Sequence, residues 1–268
     1  MATHAPDAPI GVLLREWRER RRRTQLDLAL DAGVSARHLS FVETGRSRPG
    51  AEVILRIAEH LELPLRERNR LLLAAGYAPA FPDRSLEAPE MRPTKLALEH
   101  ILAQHEPYPA MVIDRRWDLV SANQAASVLA DMVDPRLLIA PVNVMRAGLH
   151  PDGLSRWIVN LGEVRSYFTS LLRHQIDATA DPELIALLDE IDGYPSPERD
   201  ARAERDDGSA SGTIRMRAPD GNEYSFFGLF ATFNAPFDVA SSELAIELAY
   251  PADPFTAQAL RELASARR

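Results

Sequence analysis

Residues 24–49, TQLDLALDAGVSARHLSFVETGRSRP, decide the fold of the first part of the chain. Thr24 and Ser35 each carry the hydroxyl group that caps the N-terminus of a helix. Gly33 and Gly45 lie where the two capped helices should end, because glycine readily adopts the backbone conformation that terminates a helix. The stretch therefore predicts two short helices joined by a tight turn.

The second of these helices, predicted over residues 36–43, has two different faces. Leu39 and Val42 are expected to pack inward, so the remaining side chains near its N-terminus project outward. Two helices in this arrangement form a helix-turn-helix, whose second helix enters the major groove of DNA with its first residues at the base edges. The candidate DNA-binding residues are Ser35, Ala36, Arg37, His38, Ser40 and Phe41. Arg37 is the best candidate for a bidentate contact to guanine, whereas Phe41 suits either a thymine methyl group or internal packing.

Helical spacing continues on both sides of this pair. One helix begins at Ile10 and closes at the arginines of residues 20–23, where cations suit a helix C-terminus. Two more are predicted over residues 51–61 and 65–75. In the first helix of the pair, the apolar positions expected to face the core are Leu26, Leu28, Ala29 and Leu30. Five helices in this space predict an all-α domain, which we place at residues 1–77.

The joint pattern resembles the DNA-binding domain of the Cro and phage-repressor type, also called XRE-type. The resemblance rests on residues 24–29, 33–35 and 39–49. In that family the matching glutamine and the basic loop after the second helix contact phosphates, and this role falls on Gln25, Arg46 and Arg48. Gln25 also stands at a helix N-terminus, where backbone N–H groups suit a phosphate. Because one such module covers one half-site, a homodimer on a palindromic double-stranded operator is expected.

Composition indicates a folded globular protein. The 268 residues are 46% hydrophobic and 26% charged, and the absence of cysteine excludes disulfide frameworks, thiol catalysis and Cys-based zinc sites. No apolar run approaches the roughly 18 residues of a membrane span, and the start lacks a targeting signal, so we expect a cytoplasmic protein with no membrane partner. Residues 1–84 hold 14 arginines against 11 acids, whereas the rest hold 17 basic and 28 acidic groups. Only the first part is therefore suited to meet phosphate.

A change of character follows the helical domain. Four prolines interrupt the next stretch, which cannot form one continuous helix; they are Pro79, Pro82, Pro89 and Pro93. Helical spacing then returns over residues 94–104. We therefore predict a linker with a short helix over residues 78–104.

The remainder, residues 105–268, mixes strands and helices. Strand-like runs occur at 110–113, 117–121, 213–217, 224–233 and 244–250, and the first two are expected to form a hairpin. The dipeptide Asp220-Gly221 predicts a tight turn between two of the later strands, and the polar stretch 195–211 predicts a loop. These observations predict an α+β domain with an antiparallel sheet.

This second domain also resembles a known family. Residues 110–126 resemble the opening of a PAS-type sensor domain, and residues 143–154 resemble the segment that follows it in MmyB-like transcription regulators. With the N-terminal domain, the resemblance spans residues 10–250. It implies a PAS-like ligand-binding domain and a small apolar, fatty-acid-like ligand, with no other cofactor.

Aromatic residues mark the expected ligand pocket. The strand at 224–233 is apolar on both of its faces, so both faces should be covered. The candidate pocket residues are Trp117, Trp157, Tyr167, Phe168, Phe226 and Phe230, and the candidate polar anchors are Asn123, Arg146 and Arg165. Plain core packing remains open for each aromatic residue, as do a helix cap for Asn123 and surface ion pairs for the arginines.

The sequence predicts no enzyme. It contains no GxSxG, GxGxxG, P-loop or HExxH motif. Glu99, His100, His105 and Glu106 form the only local cluster of histidines and carboxylates, and their spacing does not favour a metal site, so none is predicted. The expected function is a transcription regulator controlled by a small molecule. Two alternatives remain open: a second domain that turns over its ligand, and one that serves as a protein-interaction or dimerisation module without ligand.

Overall fold

The computed structural model describes residues 8–195, 213–219, 221–233 and 238–266. The chain divides into two compact units, of which the first runs to Arg84 and the second contains most of the chain from Ser85 onward. Within the described ranges, no helix is both long and apolar enough to cross a membrane. Most of the predicted loop 195–211 and Asp220 of the predicted turn lie outside the described residues.

Five helices form the first unit. They are α1 (Ile10–Arg20), α2 (Gln25–Asp31), α3 (Ala36–Glu43), α4 (Ala51–His60) and α5 (Leu65–Ala74). The predicted caps are present, because the hydroxyl of Thr24 accepts from the N–H of Asp27 and that of Ser35 from the N–H of His38, both at 3.1 Å. Gly33 has a φ of 63°, in the left-handed region that ends a helix. The predicted all-α fold of this part is confirmed.

The buried face of α2 is narrower than the sequence predicts. Leu28 and Ala29 are buried, but Leu26 and Leu30 are 68% and 78% exposed. Successive residues of a helix are about 100° apart, so a side chain two positions from Leu28 points to the opposite side. The expectation that Leu26 and Leu30 face the core was wrong, because only one stripe of this seven-residue helix meets the core.

A glycine sets the distance between α1 and the end of α3. A Cβ atom at Gly11 would lie 2.3 Å from the carbonyl oxygen of Val42 and 2.8 Å from that of Glu43. No side chain fits at such distances. The first helix therefore contacts the backbone at the C-terminal end of α3 directly, and this contact helps to fix the orientation of that helix.

The second unit is built on one five-stranded antiparallel sheet. Its strands are β1 (Ala110–Ile113), β2 (Leu119–Ala122), β3 (Thr213–Arg217), β4 (Glu223–Thr232) and β5 (Ala245–Pro251), in the order β2-β1-β5-β4-β3. Its helices are α6 (Arg92–Gln104), α7 (Ser127–Ala130), α8 (Val144–Leu149), α9 (Leu161–Thr179), α10 (Pro182–Asp192), α11 (Val239–Ser242) and α12 (Pro254–Ala266). The predicted α+β class with an antiparallel sheet is confirmed.

Helices cover both faces of this sheet. On one face, Leu98 and Leu102 of α6 pack against Val112, Ile246 and Leu248. On the other face, the buried residues come from β1 and from α8, α9 and α10; they include Ile113, Met145, Leu149, Val164, Leu172, Leu184 and Ile191. Because successive strand residues alternate between faces, β5 separates the two clusters and contributes side chains to each.

Candidate DNA-reading helix and ligand cavity

The outer face of α3 presents the predicted DNA-reading residues. Arg37 is exposed, and its guanidinium group lies 5.2 Å from the centre of the Phe41 ring, a cation–π distance. Ala36, His38 and Ser40 are half-buried on the same helix, and Ser35 is exposed and serves as its cap. Leu39 and Val42 are fully buried, as predicted. The helix therefore presents one apolar inner face and one polar outer face that carries a single exposed guanidinium.

A buried ion pair that the sequence reasoning missed connects three helices. Glu43, at the end of α3, accepts two hydrogen bonds from Arg18 of α1, at 2.7 and 2.9 Å. The side-chain amide of Gln25, at the start of α2, donates to the same carboxylate at 2.7 Å. Hydrogen bonding to Glu43 raises the pKa of Arg18 above its ordinary value. The predicted phosphate residue Gln25 is thus also part of the scaffold that orients α3.

The two arginines after α3 differ in their surroundings. Arg46 is exposed, and no side-chain partner of its guanidinium is found within the described part of the chain. Arg48 donates a hydrogen bond to the carbonyl oxygen of Ala75 and lies 5.1 Å from the centre of the Tyr77 ring. Of the two, Arg46 has the guanidinium that is free to reach a phosphate, whereas Arg48 also ties the loop to the end of α5.

The second unit contains a cavity of about 120 Å³ between the sheet and its helices. Three predicted pocket residues line it: Trp117, Phe168 and Phe226. The other lining residues are almost all apolar: Pro109, Met111, Leu129, Val144, Met145, Gly148, Leu149, Leu154, Ile158, Val164, Ile214, Met216, Glu247 and Ala249. A concave space with a predominantly apolar lining is the common form of a site for a small molecule.

Three predicted aromatic residues lie outside the cavity lining, and one of them, Tyr167, is exposed instead. Trp157 packs near Met216 and Phe226, and its indole N–H donates to the carbonyl oxygen of Met132 at 3.2 Å. Phe230 meets Trp117 edge to face, with ring centres 5.7 Å apart. Phe230 therefore supports a cavity wall, and Trp157 belongs to the cluster beside it.

The three predicted polar anchors are engaged with protein atoms and lie outside the cavity lining. Asn123 accepts from the N–H of Ala110 and donates to the carbonyl oxygen of Tyr108, at 3.0 and 2.8 Å. Arg146 forms a bidentate pair with Glu190, and Arg165 donates to the carbonyl oxygens of Tyr194 and Ile191. These groups fix loops and helix ends. The ion pair expected as an alternative is present for Arg146, whereas Arg165 is bound to backbone carbonyl oxygens instead.

The cavity does contain one ionisable group, the carboxyl of Glu247. Glu247 lies in the middle of β5, the central strand, with Met111 and Phe230 directly opposite on the neighbouring strands. Within the described ranges, its carboxyl group has no hydrogen-bond or ion-pair partner, and burial raises its pKa to about 7. The sequence did not indicate Glu247 as a pocket residue, because a charged residue between Ile246 and Leu248 is typical of a strand with one solvent-facing side.

Part of the chain is similar to a known bacterial protein. Over 84 residues the chain is 37% identical to the uncharacterized HTH-type transcriptional regulator RghRB of Bacillus subtilis, a match that covers 31% of this chain and 58% of the relative. The chain thus spans somewhat more than half the length of that relative.

Two solved structures give weak overall superpositions. The clp gene regulator ClgR of Corynebacterium glutamicum is 21% identical, with a TM-score of 0.22, and the match covers 37% of this chain and 90% of that chain. An RNA-binding light-oxygen-voltage receptor is 15% identical, with a TM-score of 0.29, and the match covers 96% of this chain and 62% of that chain.

Two family models match the chain in succession. Residues 14–68 match the helix-turn-helix family, and this range contains α2 and α3. Residues 95–263 match the ligand-binding domain of MmyB-like transcription regulators, and this range contains all five strands and every residue that lines the cavity. The second match alone covers more than half of the chain, and both agree with the resemblance seen in the sequence. The chain belongs to the family of MmyB-like transcription regulators.

Proposed function

We propose that this protein is a DNA-binding transcription regulator whose affinity for its operator is controlled by a small, apolar, fatty-acid-like ligand in the cavity of the second unit. The observation that carries the proposal is the cavity itself, which lies within the matched ligand-binding domain and is lined almost entirely by apolar side chains. The proposed place of action is the bacterial cytoplasm, where the operator DNA lies.

On the DNA side, α3 is the proposed reading helix. Arg37 has the exposed guanidinium for a guanine contact, with Ala36, His38, Ser40 and Phe41 beside it. Gln25, Ser35, Arg46 and Arg48 are proposed to contact phosphates or the first bases. Arg46 is the best suited, because it is exposed and its guanidinium group, unlike that of Arg48, is not held by Ala75 and Tyr77. A single module of this size reads one half-site, so we propose a homodimer on a palindromic operator.

On the ligand side, the size of the cavity limits what it holds. A dry apolar cavity of about 150 Å³ is enough to bind benzene. The cavity of about 120 Å³ therefore suits a short chain or the end of a longer one. Trp117, Phe168 and Phe226 are the proposed contact residues, while Trp157 and Phe230 support the surrounding structure. Asn123, Arg146 and Arg165 are proposed to keep the surrounding loops and helix ends in place.

The proposal is tested by titrating the protein–operator complex with straight-chain compounds. An operator is first selected from random DNA, and binding is followed by fluorescence anisotropy with alcohols and fatty acids from hexyl to dodecyl. At least one series should change operator affinity several-fold. A ligand that regulates must bind the DNA-competent and DNA-incompetent forms with different affinity, and a tenfold difference corresponds to about 1.4 kcal/mol of coupling.

A matched pair of variants connects this effect with the cavity. Phe168 lines the cavity, whereas the neighbouring Tyr167 is exposed. Phe168→Ala should shift the ligand response, and Tyr167→Ala should leave it unchanged. If operator affinity is indifferent to every compound and none binds the protein, the second unit is not a sensor for such molecules, and the interaction-module alternative replaces the proposal.

A further inference from the structure

The carboxyl group of Glu247 is the feature of the cavity that an apolar ligand alone does not explain. It lies on the central strand and faces a space otherwise lined by apolar side chains. Glu247 is half-buried, and a charge in such apolar surroundings normally has a partner, because removal of an ionised carboxylate from water is costly. Within the residues described, no arginine, lysine, histidine or backbone N–H group supplies that partner to Glu247.

We propose that Glu247 is the anchor that sets ligand specificity, and that the natural ligand is an apolar molecule with a protonated amine as its head group. The inference rests on the proposed function, since it assumes that the cavity holds the regulatory ligand. An ammonium group would supply the missing partner through a charge-assisted hydrogen bond, which is roughly twice as strong as a neutral one. A fatty-acid carboxylate would instead face a like charge. The proposed ligand keeps the apolar tail of a fatty acid, but its head group carries a positive charge instead of a negative one.

The space beside the carboxyl group allows such a head group to approach. A Cβ atom at Gly228, on the neighbouring strand β4, would have Glu247 Oε1 as its only neighbour within 4 Å among the described residues, at 4.0 Å. Gly228 faces Ala249, two residues from Glu247 on the same face of the sheet. The absence of a side chain at Gly228 therefore leaves room next to the carboxyl group.

The pKa of Glu247 agrees with this assignment and adds a second signature. Burial raises it to about 7, so near neutral pH the carboxyl group exchanges between its protonated and ionised forms. Among the described residues, β1, α8, α9, β3 and β4 contribute no other ionisable side chain to the cavity lining. Arg146 of α8 lies outside the lining and pairs with Glu190. Amine binding requires the ionised form and should tighten as the pH rises from 6 to 8.

The test compares three ligands that share one tail: octylamine, octan-1-ol and octanoate. Binding to the full chain is measured at pH 8 by calorimetry and by tryptophan fluorescence, since Trp117 lines the cavity. We expect octylamine to bind at least tenfold more tightly than octanoate, with octan-1-ol between them. Glu247→Gln should weaken octylamine binding at least tenfold, leave octan-1-ol within about twofold and remove the pH dependence.

Two further variants serve as controls. Glu262→Gln makes the same change on α12 at a residue outside the cavity lining, and it should bind all three ligands like the unaltered protein. Gly228→Val keeps the carboxyl group and places two methyl groups beside it; we expect it to lose the preference for the amine. Gly228 has no left-handed φ, so a β-branched residue fits the strand there.

The outcomes distinguish an error about the head group from an error about the cavity as a ligand site. If octanoate binds as tightly as octylamine, or if the amine preference survives in Glu247→Gln, the inference is overturned while an apolar ligand site stands. If none of the three ligands binds the folded protein, the proposed sensor function fails, and the inference fails with it. An amine preference that depends on both Glu247 and Gly228 supports the inference.

Discussion

At the scale of single residues, Arg37 and Arg46 form a matched pair that separates base reading from phosphate binding. Arg37→Ala should lower discrimination at one base pair by about 1 to 3 kcal/mol. Arg46→Ala should weaken binding to all sequences alike and reduce the slope of affinity against salt by about one unit. Both changes are measured by anisotropy on operator, single-substituted and random DNA over a range of salt concentrations. An equal loss on operator and random DNA for Arg37→Ala would contradict its role at a base.

Glu247 also makes a prediction about stability and pH. Its folded-state pKa of about 7 lies above the ordinary value of 4.5, so between these values the folded chain holds a proton that the unfolded chain has released. The contribution of Glu247 to the free energy of unfolding is therefore greatest at and below pH 4.5. It falls by about 1.4 kcal/mol per pH unit until the pH passes about 7. Glu247→Gln removes this dependence and should be more stable than the unaltered protein at pH 8.

The measurement is chemical unfolding of both proteins at pH 5 and pH 8. The advantage of Glu247→Gln should be larger at pH 8 than at pH 5. Glu262→Gln is the control, and its unfolding free energy should follow that of the unaltered protein at both values. An advantage that does not change with pH would show that Glu247 keeps an ordinary pKa in the folded protein.

At the scale of helices and strands, the contact of α1 with the end of α3 leaves no room for substitution at Gly11. Gly11→Ala places a Cβ atom 2.3 Å from the carbonyl oxygen of Val42, so α1 must move. We expect a loss of stability of about 1 to 3 kcal/mol, typical of overpacking. Gly148→Ala in α8 is the matched control, because among the described residues nothing beyond its chain neighbours and its own helix backbone lies within 4 Å of the added Cβ, and alanine favours a helix. Thermal unfolding monitored by circular dichroism compares the two; equal effects would rule out the close contact.

The helices of the first unit were predictable because their signals are local. Thr24, Ser35, Gly33 and Gly45 each act on the few residues beside them, and each ends or begins a helix where the sequence indicates. The exposure of Leu26 was not predictable in this way. It depends on which neighbouring helices cover α2, and apolar character alone does not reveal that.

The cavity was predictable only in part, because it depends on contacts between distant segments. The aromatic character of Trp117, Phe168 and Phe226 is visible in the sequence, and all three line the cavity. Glu247 was not predicted as a cavity residue, because the alternation of strand residues assigns it to a solvent-facing side. It lines the cavity only because α8 and α9 lie on that side of the sheet. Similarly, the pairing of Arg18 with Glu43 joins residues 25 positions apart, which helical spacing does not connect.

At the scale of the whole molecule, the two compact units should separate under limited proteolysis. Asn69 of α5 accepts from the N–H groups of Ala80 and Phe81 and donates to the carbonyl oxygen of Phe81. The protected N-terminal piece should therefore extend beyond the predicted boundary at residue 77. A protease that cuts after glutamate should cleave first at the exposed Glu87.

The fragments are identified by mass spectrometry. The fragment that ends at Glu87 should keep its helical circular dichroism, and Glu87→Gln should suppress this first cut. An early cut between residues 10 and 81 would contradict the prediction of two separately folded units joined near residues 78–93.

The two faces of α3 have a consequence for how such regulators diverge. The fold depends on its inner face, where Leu39 and Val42 are buried and Glu43 is bound to Arg18 and Gln25. The proposed base-reading residues lie on the outer face, around Arg37. Substitutions on the outer face should therefore alter the preferred operator without loosening the helix. A duplicated copy of such a gene can therefore acquire a new set of target promoters through a few changes on one face, while its folding and its ligand response stay intact.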